Sequence, residues 1–286
     1  MPELPEVEAL AAFVRERATG QRVERAELGS LSALKTYDPP LEALVGRTVS
    51  GSRRMGKYLC TELDGIWLVA HLARAGWLHW RVPVPTGRPK PGKGPVALRV
   101  GLSGGEGFDL TEQGTEKRLA IWVVRRPEEV EGIARLGPDP LAPGFDRAAL
   151  ARALAGAPGQ LKTALADQAV LAGVGNAYSD EILWAARMSP FKAAARLSPE
   201  ETERLYEALT TTLRDAVARS AGQAAGALKD AKRTGLNVHG RAGQACPACG
   251  STVHEVHLAN RSFQYCPGCQ TGGRVLADRR LSRLLK

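Results

Sequence analysis

Residues 246–269 read CPACGSTVHEVHLANRSFQYCPGC and hold two Cys-x-x-Cys pairs, which are separated by residues 250–265. Two such pairs at this spacing can supply four thiolates to one tetrahedral zinc ion. Apolar and polar side chains alternate over residues 252–265, which predicts a β-hairpin that returns the second pair to the first. The sequence therefore predicts one structural zinc ion with four ligands: Cys246, Cys249, Cys266 and Cys269.

Three other residues could take part in metal or thiol chemistry. His254 and His257 lie between the cysteine pairs and are alternative ligands, although four thiolates satisfy zinc without them. Cys60 lies in an apolar run, so we expect a buried and unreactive thiol there. A zinc hairpin is typical of a binding module and does not by itself distinguish an enzyme from a non-enzymatic protein.

The positive charge of the chain is concentrated around these cysteines. The 286 residues carry a formal net charge of +9, and residues 221–286 hold ten Lys or Arg against three Asp or Glu, a net charge of +7. A basic excess on a small cysteine-bearing segment predicts a polyanionic partner, and we expect nucleic acid.

The composition is that of an ordinary folded protein, with 44% hydrophobic and 24% charged residues. It excludes collagen-like, fibrous and disordered chains. Apolar runs such as residues 66–72 are too short to cross a bilayer, and the acidic N-terminus is unlike a signal peptide. Paired cysteines also favour a reducing compartment. We therefore expect a monomeric cytoplasmic protein without a membrane partner.

The hydrophobic pattern predicts an α+β fold with several domains. Helical spacing of apolar residues over residues 3–18 predicts a first helix, and short β-branched or aromatic runs over residues 48–124 favour a β-sandwich. Residues 137–144 are rich in Pro and Gly, which is typical of a linker. We predict an N-terminal β-sandwich with flanking helices at 1–136, a helical domain at 145–235 and a zinc hairpin at 236–286.

The first eight residues, MPELPEVE, place a proline next to carboxylates at the start of this helix. Removal of Met1 would expose the secondary amine of Pro2 beside Glu3 and Glu6. The pKa of an α-amine is ordinarily about 8, so a fraction is unprotonated at neutral pH and can form a Schiff base. A plainer interpretation is that prolines start the helix and acids suit its positive end. These eight residues leave both interpretations open.

Four motifs follow one another along the chain. They are MPELPEVE at 1–8, RMGKYL at 54–59, GVGN at 173–176, and the four-cysteine hairpin with Asn260-Arg261 at its predicted tip. Together they resemble the formamidopyrimidine-DNA glycosylase and endonuclease VIII family of base-excision repair. Leu4 stands where endonuclease VIII members usually carry glycine, which favours the formamidopyrimidine branch. The resemblance covers essentially the whole chain and implies a helix–two-turn–helix motif in the helical domain.

The resemblance implies a catalytic role for four residues of the N-terminal domain. Pro2 would be the nucleophile at the sugar C1′, Glu3 would move protons at the sugar and leaving base, and Glu6 would assist. Lys57 would contact a phosphate near the lesion, although an ordinary surface lysine is the alternative. The implied DNA contacts of the other domains are Lys162 on the lesion side, Asn176 at a helix start (otherwise an ordinary helix cap), and Arg261 at the hairpin tip.

The segments that read the lesion depart from the family pattern. Arg74 stands where the formamidopyrimidine branch typically inserts a methionine into the DNA. Lys117 stands where the family has the first of two arginines, Arg118 matches the second, and Leu119 replaces an aromatic wedge. Only residues 231–237 separate Leu228-Lys229-Asp230 from Val238-His239-Gly240-Arg241, and they hold no aromatic residue that could cover oxidised guanine.

The predicted function is a bifunctional DNA glycosylase and abasic-site lyase that acts on damaged double-stranded DNA. One alternative keeps this catalysis but acts on oxidised pyrimidines or on bulky or crosslinked adducts, as endonuclease VIII-like enzymes do. The other is a non-catalytic protein that binds damaged DNA. The physiological lesion, the opposite-base preference and the choice between β- and β,δ-elimination do not follow from the sequence.

Overall fold

A computed structural model describes residues 1–92, 94–258 and 261–277, apart from the side chains of Lys229, Leu258 and Arg261. The chain divides into two compact units. Unit 1 comprises residues 1–135 and 219–231, and unit 2 comprises residues 136–218 and 232–286. The division into three domains with boundaries at 136, 144 and 235 stays a prediction.

Unit 1 is an antiparallel β-sandwich preceded by a helix. Helix α1 is Leu4–Ala18, and the strands are β1 Val23–Leu28, β2 Val49–Met55, β3 Tyr58–Leu63, β4 Ile66–His71, β5 Gly76–Arg81, β6 Val96–Leu102, β7 Gly107–Glu112 and β8 Ala120–Val124. One sheet has the strand order β1-β6-β7-β5 and the other has the order β2-β3-β4-β8. A short helix α2, Glu131–Ala134, follows the sandwich.

A single apolar core joins both sheets and α1. It includes Leu10 of α1, Leu98 of the first sheet and Ile121 of the second, all fully buried. Ala225 and Leu228 of the later segment 219–231 belong to the same core, and Trp77 Nε1 donates to Ala225 O at 2.7 Å. The predicted sandwich is confirmed.

Asp64-Gly65 lies between two apolar runs, which predicts a hairpin turn, and the structure confirms it. Leu63 pairs with Ile66, and the two turn residues have φ of 42° and 82°. Both angles lie in the left-handed region that the tight hairpin turn with the favoured twist requires, and Asp-Gly adopts it readily.

Two strands, β1 and β7, do not belong to the β-branched or aromatic runs that predict the sandwich, because both strands carry charged residues. β1 reads VERAEL, and only Val23 in it is fully buried. β7 buries Asp109, which accepts hydrogen bonds from Arg81 Nε at 2.9 Å and from Arg99 Nε at 2.7 Å. Burial alone would raise the pKa of Asp109, but the bonds from Arg99 and Arg81 outweigh it and lower the pKa. This compensation allows a carboxylate inside a strand.

Unit 2 contains most of the remaining helices. They are α3 Arg147–Ala155, α4 Leu161–Ala166, α5 Asn176–Ala185, α6 Pro199–Ser220, which runs into unit 1, and α7 Leu228–Thr234, which begins there. The sequence Ser198-Pro199-Glu200-Glu201 predicts the start of α6, with Ser198 as the N-cap and Glu201 three residues later. The structure confirms it, because Glu201 N donates to Ser198 Oγ at 3.2 Å while Ser198 N donates to Glu201 Oε2 at 2.9 Å. This reciprocal pair is a capping box.

The predicted cysteine-bearing hairpin is present. β9 His254–Leu258 pairs with β10 Arg261–Tyr265, and a short helix α8, Pro267–Gln270, follows. Asn260 lies outside the described residues.

Candidate active site and metal centre

The start of α1 holds the two carboxylates that the sequence places beside Pro2. Glu3 is the N-cap, and its carboxylate accepts the backbone N–H of Glu6. Glu6 Oε2 accepts the backbone N–H of Glu3 at 2.8 Å. Glu3 and Glu6 are 2% and 1% exposed, and Pro2 is buried while Met1 is exposed. The reciprocal bonds fix both acids next to the residue that carries the predicted nucleophile.

The β2–β3 hairpin is attached to this helix. Arg54 Nε donates to Glu8 Oε2 at 2.8 Å, and Arg54 Nη1 donates to Gly56 O at 3.2 Å. Gly56 and Lys57 form the turn, where Gly56 has φ of 56° and Lys57 is only 6% exposed. The bond from Arg54 therefore holds the hairpin that carries Lys57 against the helix that carries Glu3 and Glu6.

His71 at the end of β4 is a neighbour of Lys57 that the sequence analysis does not name as a site residue. Its backbone pairs with Tyr58, and the two rings lie 4.9 Å apart. Burial, together with the positive charge of Lys57, lowers the pKa of His71 to about 4. The imidazole is therefore neutral at physiological pH.

Two loops of unit 1 carry the residues that the sequence assigns to the space left by a flipped base. Arg74 is exposed in the first loop, and Gln113 N at the start of the second donates to Ala75 O. In the second loop, Lys117 Nζ donates to Glu112 O, and the exposed Arg118 pairs with Glu116 at 3.0 Å. The structure thus places both loops side by side.

The side chain of Leu119 is buried in unit 1, whereas a residue that inserts into DNA projects from the surface. Leu119 belongs to the core of unit 1 and is 2% exposed. Glu112 Oε1 accepts the backbone N–H groups of Arg118 and Leu119 at 2.8 and 2.9 Å. Insertion into DNA would require this buried anchor to open, and the wedge role of Leu119 stays a prediction.

In unit 2, Lys162 is buried and paired. Its Nζ donates to Asp180 Oδ1 at 2.5 Å, to Ser179 Oγ at 2.8 Å and to Asn176 O at 2.7 Å. Lys162 is 5% exposed and Asp180 is 1% exposed. A direct contact of Lys162 with a lesion would have to break this ion pair, and that contact also stays a prediction.

Asn176 lies next to the strand that begins with Arg261. Asn176 Nδ2 donates to Ser262 O at 2.7 Å, so the helix start and β10 meet here. The side chain of Arg261 lies outside the described part of the chain. The two positions predicted to hold phosphate are therefore neighbours along one edge of unit 2.

The acidic pair Asp180-Glu181 on α5 was not predicted as functional. Asp180 Oδ2 bonds to His239 Nδ1 at 2.7 Å and accepts Gln264 N at 3.2 Å. Glu181 accepts four N–H groups of residues 237–239: the backbone N–H groups of Asn237, Val238 and His239 and the side-chain amide of Asn237. The one available signal was two adjacent acids in a helix that begins with Asn176.

The four cysteine sulfur atoms form a group that can hold a metal ion. They lie within 4.8 Å of one another, and the group includes neither His254 nor His257. Cys246 Sγ is 3.8 Å from Cys269 Sγ, and Cys249 Sγ is 3.4 Å from Cys266 Sγ. A tetrahedron with Zn–S bonds of about 2.3 Å has S–S edges of about 3.8 Å. The four thiolates therefore fit a zinc ion both in their chemistry and in their S–S distances.

The close spacing of the four sulfur atoms also favours a bound cation. Hydrogen bonds from Ser251 lower the pKa of Cys249 to about 6, whereas burial raises the pKa of Cys269. Four thiolates this close together repel one another unless a cation compensates them. Trp184 Nε1 of α5 donates to Cys246 Sγ at 3.3 Å, which connects the metal group to the helix of Asn176.

Comparison with known families accounts for this combination of elements. The formamidopyrimidine-DNA glycosylase N-terminal domain matches residues 1–117, and the H2TH domain of the same enzymes matches residues 136–226. The formamidopyrimidine-DNA glycosylase of Symbiobacterium thermophilum is 35% identical over 94% of this chain and 89% of its own length. The chain belongs to the formamidopyrimidine-DNA glycosylase family.

Two further relatives of this glycosylase-family chain are informative. An uncharacterized formamidopyrimidine-DNA glycosylase-like protein of Mycobacterium tuberculosis is 58% identical over 53% of this chain and 94% of its own length. The solved structure of Lactococcus lactis Fpg in complex with DNA that contains an abasic site has a TM-score of 0.82. It is 24% identical and covers 94% of this chain and 99% of its own. At 24% sequence identity, this structural similarity shows that the two chains share a fold.

The matched H2TH domain, which is the helix–two-turn–helix domain that the resemblance implied, covers residues 136–226 and includes α3, α4, α5 and α6. The glycosylase-family chain has no helix, among the residues described, that is long and apolar enough to cross a membrane.

Proposed function

We propose that the chain excises a damaged base from double-stranded DNA with the amine of Pro2 and then cleaves the strand at the abasic site. Membership in the formamidopyrimidine-DNA glycosylase family makes it a DNA glycosylase of base-excision repair. The observation that carries the assignment to Pro2 is the reciprocal capping of Glu3 and Glu6, which holds two buried carboxylates directly after it.

The proposed chemistry begins at the sugar C1′. The nitrogen of Pro2, freed from Met1, attacks C1′ as the C1′–base bond breaks, and the base leaves with a proton that Glu3 helps to deliver. Opening of the sugar ring gives an iminium ion between Pro2 and C1′. Removal of a 2′ proton then expels the 3′ phosphate by β-elimination, which cleaves the strand.

Two cations and the amide of Asn176 are proposed to hold the phosphates during these steps. Lys57 lies on the hairpin attached to α1, while Asn176 and Arg261 occupy neighbouring positions in unit 2. Phosphate contacts of this kind supply affinity and register rather than sequence selectivity. We propose that one structural zinc ion on the four cysteines positions the strand of Arg261. The protein would act as a monomer on chromosomal DNA in the cytoplasm.

The segment 231–237 favours an alternative set of substrates for the same glycosylase and lyase reactions. It is short, lacks an aromatic residue and is attached to Glu181 at Asn237. Oxidised pyrimidines or bulky adducts, which need no cover from this segment, are the alternative substrates.

Borohydride trapping on DNA with an abasic site tests the proposal. Borohydride reduces the iminium ion and leaves a covalent complex, so the mature protein should crosslink to DNA. Pro2→Gly should reduce the crosslink, and protein that retains Met1 should form none. Undiminished trapping with Met1 in place would show that another amine reacts, with Lys57 the first to examine. Absence of trapping by the mature protein would favour the non-catalytic DNA-binding alternative.

A further inference from the structure

A basic pocket lies beside the segment that would face the lesion. Eight residues between Lys232 and Gln244 line a pocket with a volume of about 580 Å³. Three cations line it, Lys232, Arg233 and Arg241, and none of its lining residues is acidic. All of these residues belong to unit 2.

The wall of the pocket that carries Arg241 is fixed by hydrogen bonds to the preceding backbone. Glu181 accepts the backbone N–H groups of Asn237, Val238 and His239, which fixes the chain just before Arg241. Arg241 Nη1 donates to Leu236 O at 3.2 Å, so its guanidinium group is oriented across the pocket wall.

A second bond completes this orientation. Arg241 Nε donates to Gln244 Oε1 at 2.9 Å. A guanidinium group held in this way loses little conformational entropy when it binds an anion. The pocket is therefore prepared for a ligand before the ligand arrives.

The opposite wall of the pocket is the last turn of α7, which carries Lys232 and Arg233. Lys232 Nζ lies 4.8 Å from the centre of the Tyr178 ring, a cation–π contact that helps to position the ammonium group. Arg233 is exposed. Arg233 and Arg241 line the same pocket, so a bound anion would gain charge-assisted hydrogen bonds from two guanidinium groups.

We propose that this pocket binds a phosphate group of DNA, with Arg233 and Arg241 as its principal ligands. The inference rests on the proposed function, since DNA supplies the phosphate. It gives segment 231–237 a role different from that of an aromatic cover: the segment holds the backbone of the nucleic acid rather than a base. The phosphate is either an internal diester or the terminal phosphate left by strand cleavage.

The first test is the salt dependence of binding to duplex DNA that contains a stable abasic-site analogue. Arg233→Gln should weaken binding and lower the slope of log K against log salt by about 0.9, the value for one phosphate contact. Arg152→Gln is the matched control, because Arg152 is an exposed arginine of α3 outside the pocket. Equal affinities and slopes for the two variants would overturn the proposal.

The second test separates the two sources of phosphate. Nicked duplexes with a 5′-phosphate or a 5′-hydroxyl at the gap are compared for wild type and Arg233→Gln. A defect confined to the 5′-phosphate duplex assigns the pocket to the cleaved product, and an equal defect on both assigns it to an internal diester. A defect only in binding an acidic peptide, with DNA binding unchanged, would overturn the proposal in favour of a protein partner.

Trapping by the wild-type protein in the same buffers separates this inference from the proposed function. Failure of trapping counts against the lyase chemistry, whereas the salt slopes report on the pocket alone.

Discussion

Lys162 Nζ and Asp180 Oδ1 form a buried ion pair at 2.5 Å inside unit 2. The pair connects α4 to α5, and the other oxygen of Asp180 reaches His239 and the backbone of Gln264. One carboxylate thus joins the helix of Asn176, the chain after segment 231–237, and β10. The cation that the family resemblance assigns to the lesion side also stabilises the elements that carry Asn176 and Arg261, the two residues that we propose bind phosphate.

Asp180→Asn should therefore destabilise unit 2. Removal of one member of a buried, hydrogen-bonded pair costs about 3–5 kcal/mol because the remaining charge is left without compensation. Hydrogen exchange of the α5 amides should accelerate, and the double variant Lys162→Met/Asp180→Asn should lose less than the sum of the two single changes. Glu203→Gln breaks the exposed pair with Arg147 and is the control, with an expected loss of about 0–1 kcal/mol. Equal effects of Asp180→Asn and Glu203→Gln would contradict this assignment.

Thiol reactivity should separate the metal ligands from the fifth cysteine. Burial raises the pKa of Cys60 to about 12, so its thiol stays protonated and unreactive near neutral pH. We expect no fast-reacting thiol in the metal-loaded protein and four after chelation: Cys246, Cys249, Cys266 and Cys269. Cys60→Ala should leave both counts unchanged. Metal analysis should find one zinc ion per chain, and protein that binds DNA equally well without metal would refute a structural zinc.

The stability of unit 1 should depend on pH through His71. Its pKa is about 4 in the folded protein, against an ordinary value of 6.5 for histidine, so between these values the unfolded chain binds more protons. Stability should therefore fall as the pH is lowered from about 6.5 to about 4. An NMR titration should show no change in His71 above pH 5, and Lys57→Met should raise its pKa part of the way, since burial remains. The signal can be assigned by its loss in His71→Gln, and a midpoint near 6.5 in wild type would contradict burial.

Local signals account for what the sequence predicts well. The Asp64-Gly65 turn, the Ser198 capping box and the spacing of the two cysteine pairs each lie within a few residues, or follow from a metal that requires all four ligands. Short strands and β-branched runs were enough to predict the sandwich.

Compensation between distant residues accounts for what the sequence misses. Asp109 in β7 is buried because Arg81, 28 positions away, donates to it, and Asp180 is buried because Lys162, 18 positions away, does so. The sequence shows these acids within a strand and a helix, but it does not show which distant cation compensates each of them. Leu119 is a similar case: its position suggests a wedge, but Glu112 holds its backbone and the core of unit 1 takes up its side chain.

Segment 231–237 also determines how we expect the protein to act on 8-oxoguanine. Its first residues belong to α7, Leu236 is 7% exposed, and Asn237 is held by Glu181. Little chain is left to fold over a flipped purine, and none of its residues is aromatic. The segment therefore offers few of the buried hydrogen bonds that distinguish 8-oxoguanine from guanine.

We expect weak excision of 8-oxoguanine and faster action on ring-opened purines, oxidised pyrimidines and abasic sites. Loss of one or two such hydrogen bonds costs about 1–3 kcal/mol, or about one to two decades of selectivity. A leucine in place of an aromatic wedge, and one held in the core, should also weaken the preference for cytosine opposite the lesion. Single-turnover excision opposite cytosine and opposite adenine, beside an abasic control, measures both effects. Fast removal opposite cytosine with strong rejection of the adenine pair would show that lesion selectivity does not depend on a long aromatic loop in this chain.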